Sequence, residues 1–586
     1  MKGMYALTCW ALAGISLACA SAQTPLFPLK DVRPGMQATA KTVFAGDRVE
    51  DFQIEILGVL ENAGPRRSVI LGKLSGGPIA RTGVLQGMSG SPVYIDGKLA
   101  GALAMAFPFA KEPIAGIRPI EEMLATEGAP PRAASRVSVD PDNLLASLPR
   151  RELVQLGAAQ LTPIATPLWL SGFTQNTVGH FGAQLRALGF EPVQGVSGGA
   201  SASQAMGSPG RLQPGSMISI QLVRGDLSVG ADGTVTHIDG KQVYAFGHRF
   251  LALGEAEMPF TRADVLTLLP SINTSFKISA SRELMGVISH DADTAVRGEL
   301  GRRAALVPVQ LAVRGAGRQT AYRMEMVNDR FLTPFLLQLV TFSALDATER
   351  MAGAGTIALR GHIRFAGQPE PLRLHNTYTA DTTAAAQAAL GAALPLAYAL
   401  QSSFARLRPA AVELDLEVRN EKRQAVLVDA YPSRRTVRPG EEIELFVVLR
   451  AGDGADEIRK TSYRVPAGAT PGTLNFTVVD ALSANLLDIR RLLNTPKSPG
   501  QLIATLNTLR PSTKTFVRVW RQEPSFAVDG ADLSDPPASV AMILARTQTL
   551  PGTQAPSQGA RLAELEVDSG GWVVSGSRTA QVEIKE

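Results

Sequence analysis

A chain of 586 residues is too long for one small module, and at about 150 residues per domain it is expected to form about four. With 45% hydrophobic and 19% charged residues it is globular, neither disordered nor collagen-like, and its 55 glycines and 38 prolines announce many turns. A net charge of +5, with no concentrated basic segment, excludes a nucleic-acid face.

Residues 1–22 read as an export signal. Lys2 supplies the positive start, residues 4–19 are mostly apolar, and Ala20-Ser21-Ala22 offers small residues for cleavage before Gln23. The alternatives are a lipoprotein signal that uses Cys19 of Leu17-Ala18-Cys19, and a retained anchor, for which the apolar run is short against the ~20 residues of a span. Both cysteines, Cys9 and Cys19, lie in this segment, so the cleaved chain would hold no disulfide, thiol nucleophile or thiolate metal site. The expected location is secreted or periplasmic.

Residues 23–150 predict a first β-unit, in which FQIEILGVL, SVILGKL, SPVYI and KLAGALAMAF are short apolar runs separated by turn residues. Asp96-Gly97 predicts a two-residue hairpin, PIEEMLA at 119–125 a short helix, and residues 129–141 a Pro-rich boundary. Residues 151–205 predict one helix, NTVGHFGAQLRALG, followed by a small-residue linker beginning GVSGGASASQ. A second β-unit is expected over 206–320, from MISIQLVRG, TVTHIDG and KQVYAFG. Residues 321–425 predict an α+β domain; its Ala-rich helix DTTAAAQAALGAALPLAYALQ carries Gln387 and Pro395, which argue against a membrane span. Residues 426–530 predict a β-sandwich-like domain and 531–586 a β-rich tail.

The strongest chemical signal is Gln86-Gly87-Met88-Ser89-Gly90-Ser91-Pro92, placed directly before a strand. A serine nucleophile needs its Oγ on a tight turn, with backbone N–H groups converging where the substrate oxygen becomes negative. Gly87 and Gly90 permit that turn, which makes Ser89 the candidate nucleophile and the amides of Gly87 and Ser89 the candidate oxyanion-hole donors. A plain Gly/Ser turn between strands is the bland alternative, and Ser91 the weaker nucleophile.

A serine needs a base, and the chain has six histidines. His180 falls in the expected helix, His362 and His375 in later strands, and His290 in the turn-like SHDAD. Of the remaining two, His237 is mid-strand in TVTHIDG, whereas His248 follows Ala245-Phe246-Gly247, where the glycine lets the chain turn and present the ring. His248 is the candidate base and His237 the alternative.

TGVLQGMSGSPVYIDGKLAGAL, followed by AGIRPIEEML, resembles the serine region of the SpoIVB-type (stage IV sporulation protein B) serine endopeptidases, and GTVTHIDGKQVYAFGHRF is similar to the stretch around that family's histidine. The resemblance covers roughly residues 28–320. It implies a mainly β chymotrypsin-like double β-barrel, possibly permuted, with Ser89 as nucleophile and His248 as general base. In the family the histidine precedes the serine, whereas here Ser89 comes first; triad chemistry tolerates different chain orders. No familiar PDZ module precedes the serine block, so a sporulation role is not implied.

The family's acidic residue shortly upstream of its serine has no counterpart, since Ser68 to Met88 contains no Asp or Glu. Asp291 in SHDADTAVRGELG is the candidate third member, with Asp264, Asp226 or a Ser/His dyad as alternatives. Arg224-Gly225-Asp226 matches an integrin-binding tripeptide but sits at the end of an apolar strand. No metal-ligand spacing of the H-E-x-x-H kind and no phosphate loop occurs, so no metal or cofactor is expected. The sequence therefore reads as a secreted or periplasmic serine endopeptidase acting on a protein substrate and possibly on itself, followed by C-terminal interaction domains. The rival is a non-catalytic secreted binding protein built on the same barrels.

Overall fold

The computed structural model describes residues 24–125, 139–195, 205–348, 355–492, 496–546 and 559–586, apart from positions 152, 158, 316, 405, 406, 453, 529, 530 and 535. The expected export segment with Cys9 and Cys19, most of the expected 129–141 boundary and most of the glycine/serine linker lie outside the described residues.

The first β-unit is a closed barrel. Its strands are β1 (Gln37–Ala45), β2 (Arg48–Gly64), β3 (Arg67–Ser75), β4 (Pro92–Ile95), β5 (Lys98–Ala106) and β6 (Ile114–Pro119), with α1 (Ile79–Thr82) between β3 and β4 and α2 (Ile120–Leu124) after β6. The ring order is β1-β2-β3-β6-β5-β4, closed by β4 on β1, and every neighbour is antiparallel. Alternation drives closure: in β2, Phe52, Ile54 and Ile56 turn inward while the residues between them face out. They join Ala38, Ala40, Ile70, Leu74, Val93, Leu103 and Ile117 in one apolar core. Asp96 and Gly97 both have positive φ (49° and 73°), as the tight β4–β5 hairpin requires.

The second barrel repeats the plan. After β7 (Val154–Leu156), β8 (Ala159–Pro163), β9 (Thr166–Ser171), α3 (Gln175–Ala187) and β10 (Phe190–Gln194) come β11 (Met217–Gly225), β12 (Ser228–Asp239), β13 (Gln242–Ala245), β14 (Gly254–Leu269), β15 (Phe276–Asp291) and β16 (Val296–Leu300). β11 to β16 close in the order β11-β12-β13-β16-β15-β14, again antiparallel throughout, with β14 on β11. The fold is thus mainly β and consistent with a chymotrypsin-like double barrel.

Residues 151–205 do more than the expected helix and linker. β9 pairs with β12, β10 lies parallel to β9, and β8 pairs with β5 of the first barrel. These strands escape a pattern reading because they are short and interrupted by Pro163, Pro167 and Pro192. The expected α+β region also continues the second barrel, as β18 (Arg318–Met326) pairs with β11 and extends the sheet through β17 (Val307–Gly315), β21 (Pro409–Arg419), β19 (Gly355–Phe365) and β20 (Leu372–Ala380). Helices α4 (Leu332–Thr348) and α5 (Ala384–Leu400) contribute to the same apolar core. No helix among the described residues is long and apolar enough to cross a membrane.

Beyond residue 424 a four-stranded and a five-stranded sheet enclose a core that includes Leu427, Val447, Phe476, Val517 and Val582. Strand Ser577–Ile584 pairs with Gly472–Asp480 over its full length, so the sandwich runs across the boundary expected at 530/531. The C-terminal strands complete the sandwich and form no separate tail.

Candidate active site

The serine turn lies between the third and fourth strands of the first barrel. Gly87 and Gly90 have φ of 88° and 95°, a region closed to most side chains. The turn is held from within by Met88 N donating to Leu85 O, and by Ser91, whose N and Oγ both donate to Met88 O. The amides of Gly87 and Ser89 have no hydrogen-bond acceptor among the described residues. Two free N–H groups flanking the serine are what an oxyanion hole requires.

The second barrel clamps this turn. Thr234 Oγ1 donates to Gly87 O at 2.8 Å, Thr236 Oγ1 to Gly90 O at 2.7 Å, and Thr234 N to Ser89 O at 2.8 Å. The peptide unit that carries the Gly87 amide is held through its own carbonyl, Gln86 O, which accepts Lys277 N at 3.3 Å. Approach is so close that a Cβ on Gly90 would sit 2.0 Å from Thr234 O and 2.5 Å from Phe246 N. From the other side Gly90 N donates to Leu103 O, and Leu103 N to Ser91 O.

His248 occupies the connection between the third and fourth strands of the second barrel. Phe246 and Gly247 both take positive φ (69° and 66°), which turns the chain sharply at the end of β13. Gly247 packs against Ala102, Leu103 and Ala104 of β5, the stretch that bonds the serine turn. The two barrels therefore bring Ser89 and His248 into one buried interface; Ser89 is 0% and His248 5% exposed.

His248 Nδ1 donates to Arg249 O at 2.7 Å, which leaves Nε2 as the basic nitrogen. Burial pushes the imidazole down to about 4; the Arg249 carbonyl opposes that shift, while the charges of Arg151, Arg118 and Arg249 add to it. The ring is neutral at pH 7 and able to accept a proton. Ser89 Oγ and His248 Nε2 are both buried without a hydrogen-bond partner, so they are not bonded to each other. Buried polar atoms are rarely left unsatisfied, and serine–histidine contacts tighten on substrate binding.

Asp291, at the end of β15, does not reach the imidazole nitrogens. Its carboxylate accepts the amides of Phe250 (2.9 Å), Leu251 (2.7 Å) and Leu253 (3.1 Å), fixing the segment directly after His248. Burial pushes its carboxyl up to about 6, against the pull of these three amides. Asp264 is paired with Arg262 and Arg282, and Asp226 accepts Arg323 N, while Arg224 pairs with Glu325. His237 stacks near Tyr244, His180 stacks on Phe342, and His290 pairs across strands with Glu255 and Arg297. His362 and His375 line a groove of about 610 Å³ with Arg360 and Arg373, away from Ser89. No group of three or more His, Cys, Asp or Glu among the described residues could hold a metal ion.

Sequence reading missed a polar network under the serine turn. Lys277, fully buried, donates to Thr42 Oγ1 across the barrel boundary, and its stem runs beside Gly87. Asp232, also fully buried, accepts from Trp169 Nε1 at 2.7 Å and from Ser279 Oγ. Burial lowers Lys277 to about 7 against the attraction of Asp232, and raises Asp232. The available signal was the alternation of Lys277, Ser279 and Ser281 along one strand, a polar stripe at period two.

No curated protein and no solved structure matched the chain. Residues 16–124 match the family described as SpoIVB peptidase S55. The matched segment covers the first barrel and Ser89 and stops before His248. This match relates the segment that carries the serine turn to the SpoIVB-type peptidases.

Proposed function

We propose that the protein is a serine endopeptidase of the SpoIVB type, acting outside the cytoplasm on a protein substrate. Ser89 Oγ attacks the scissile carbonyl, His248 Nε2 takes its proton and returns it to the leaving amine, and the amides of Gly87 and Ser89 receive the oxyanion. The Arg249 carbonyl holds the imidazole tautomer, a task that a carboxylate performs in the Ser-His-Asp arrangement. Asp291 positions the segment behind the ring and does not touch it. The apolar run at residues 4–19 behind Lys2, with small residues at Ala20-Ser21-Ala22, supports the location.

One observation carries this reading: a buried serine on a turn with two free amides lies in the same interface as a neutral histidine whose Nε2 is free. The rival, a non-catalytic scaffold, draws on the unmade bond between Ser89 and His248. Turnover of an unfolded protein such as casein separates them. Hydrolysis by the wild type that is lost in Ser89→Ala and in His248→Gln supports the peptidase. Equal rates in all three assign any cleavage to a contaminant and favour the scaffold.

A further inference from the structure

The edge of β5 continues past the serine turn, and the chain itself occupies that continuation. β4 pairs with β5 from Lys98 to Ala102, and the serine turn takes Leu103 through Gly90 N and Ser91 O. Immediately beyond, Ile164 N donates to Ala104 O at 2.9 Å, Pro163 lies opposite Met105, and Thr162 opposite Ala106. β8 is antiparallel to β5, so Thr162-Pro163-Ile164 runs toward the serine turn, and its next peptide bond, Ile164–Ala165, is the one delivered there.

The side chains reinforce this docking. Ile164 is buried in the core of the serine-bearing barrel, in one cluster with Leu85, Met88 and Leu103. Arg151 donates to Thr162 Oγ1 at 2.9 Å and also to Pro163 O, and its charge reaches His248. One cation thus ties the docked strand to the surroundings of the base. The strand is nevertheless not seated for attack. The Gly87 and Ser89 amides donate to no carbonyl among the described residues, and the chain turns away at Thr166, whose N donates to Gly189 O.

We propose that the β5 edge at Ala104–Ala106 is the substrate-strand site, and that Thr162-Pro163-Ile164 fills it in cis as an internal pseudosubstrate. This rests on the serine peptidase reading. Strand addition to an open sheet edge supplies backbone hydrogen bonds for affinity and a pocket for selectivity. The ligand class is therefore an extended polypeptide that places a branched apolar side chain, such as Ile, just before the bond to be cut. Substrate must displace the internal strand, so the resting enzyme is slow.

The test is the rate of Ser89 labelling by a fluorophosphonate in the full chain, followed by intact mass. We expect Ile164→Ala to label about tenfold faster than wild type, and Arg151→Ala to fall between them. The peptide Ala-Gln-Leu-Thr-Pro-Ile-amide should slow labelling of the Ile164→Ala variant in a saturable way. Where Ile164→Ala fails to fold, Arg151→Ala with the same peptide gives the answer. Labelling at one rate in all three proteins overturns the pseudosubstrate and leaves the peptidase standing, as does a peptide that protects nothing. No labelling of any folded variant overturns the peptidase reading itself.

Discussion

The two barrels share one strand order and differ in what they hang on the same connection. In each, the link between the third and fourth strands crosses to the partner barrel; in the first it carries Ser89 and in the second His248. The two connections are thus equivalent places in one pseudo-symmetric pair of barrels. The backbones differ as well. The serine turn meets its positive φ with Gly87 and Gly90, whereas the histidine turn forces Phe246 and Ala252 into the same region. Such strain in side-chain-bearing residues persists only where the surroundings over-determine it. Here those surroundings include the three amides held by Asp291 and the packing of Gly247 on β5.

The comparison breaks most completely when either partner is removed. We expect Ser89→Ala and His248→Gln each to lower peptide hydrolysis by ~10⁴-fold or more, and the double variant to be no worse than either single one, as for residues that act together. Next in size is Gly90→Ala. Its Cβ would meet Thr234 O and Phe246 N at a backbone position that disfavours side chains. A loss of about 3 kcal/mol in denaturant unfolding is expected, with activity lost in parallel.

Acid sharpens the contrast between the two connections, because only one titrates. His248 is held near 4 against an ordinary 6.5, so the unfolded chain binds its proton first as pH falls. Stability then drops between pH 6.5 and 4 by on the order of 3 kcal/mol from this group, a slope that His248→Gln should remove. By the same shift, kcat/KM should stay flat near pH 6.5 and fall only as pH descends through about 4.

Two smaller effects test the clamp and the support. Thr234→Val removes the hydroxyl that fixes Gly87 O and should cost about 1–3 kcal/mol. It should lower kcat/KM about tenfold, because Thr234 clamps the serine turn from the second barrel. Asp291→Asn should destabilise by a similar amount yet reduce turnover less than about tenfold, since Arg249 O still holds His248. A loss near that of His248→Gln would instead make Asp291 a member of the catalytic set.

Much of the site was legible because its residues break local rules in readable ways. Two glycines around Ser89, and Gly247 before His248, announce turns that ordinary strand ends do not need. Asp96-Gly97 gave its hairpin and PIEEMLA its helix for equally local reasons. What stayed hidden is long-range. Thr234 and Thr236 look like ordinary strand residues until the barrels dock, and Lys277 gains its partner Thr42 from the other barrel. β8 and β9 carry no strand signal of their own, because two short proline-broken runs become strands only when β5 and β12 supply their hydrogen bonds. The contacts of Asp291 stay hidden for the same reason: an acid in a turn-like stretch carries no mark of which amides it will meet.

The most direct measurement is peptide mapping after fluorophosphonate treatment of the whole protein, in wild type and His248→Gln. If the two connections form one catalytic pair, the adduct lies on Ser89 alone and forms at least about a hundredfold more slowly without the imidazole. An adduct on another serine, or labelling of Ser89 that ignores His248, would contradict the pairing of the two barrels.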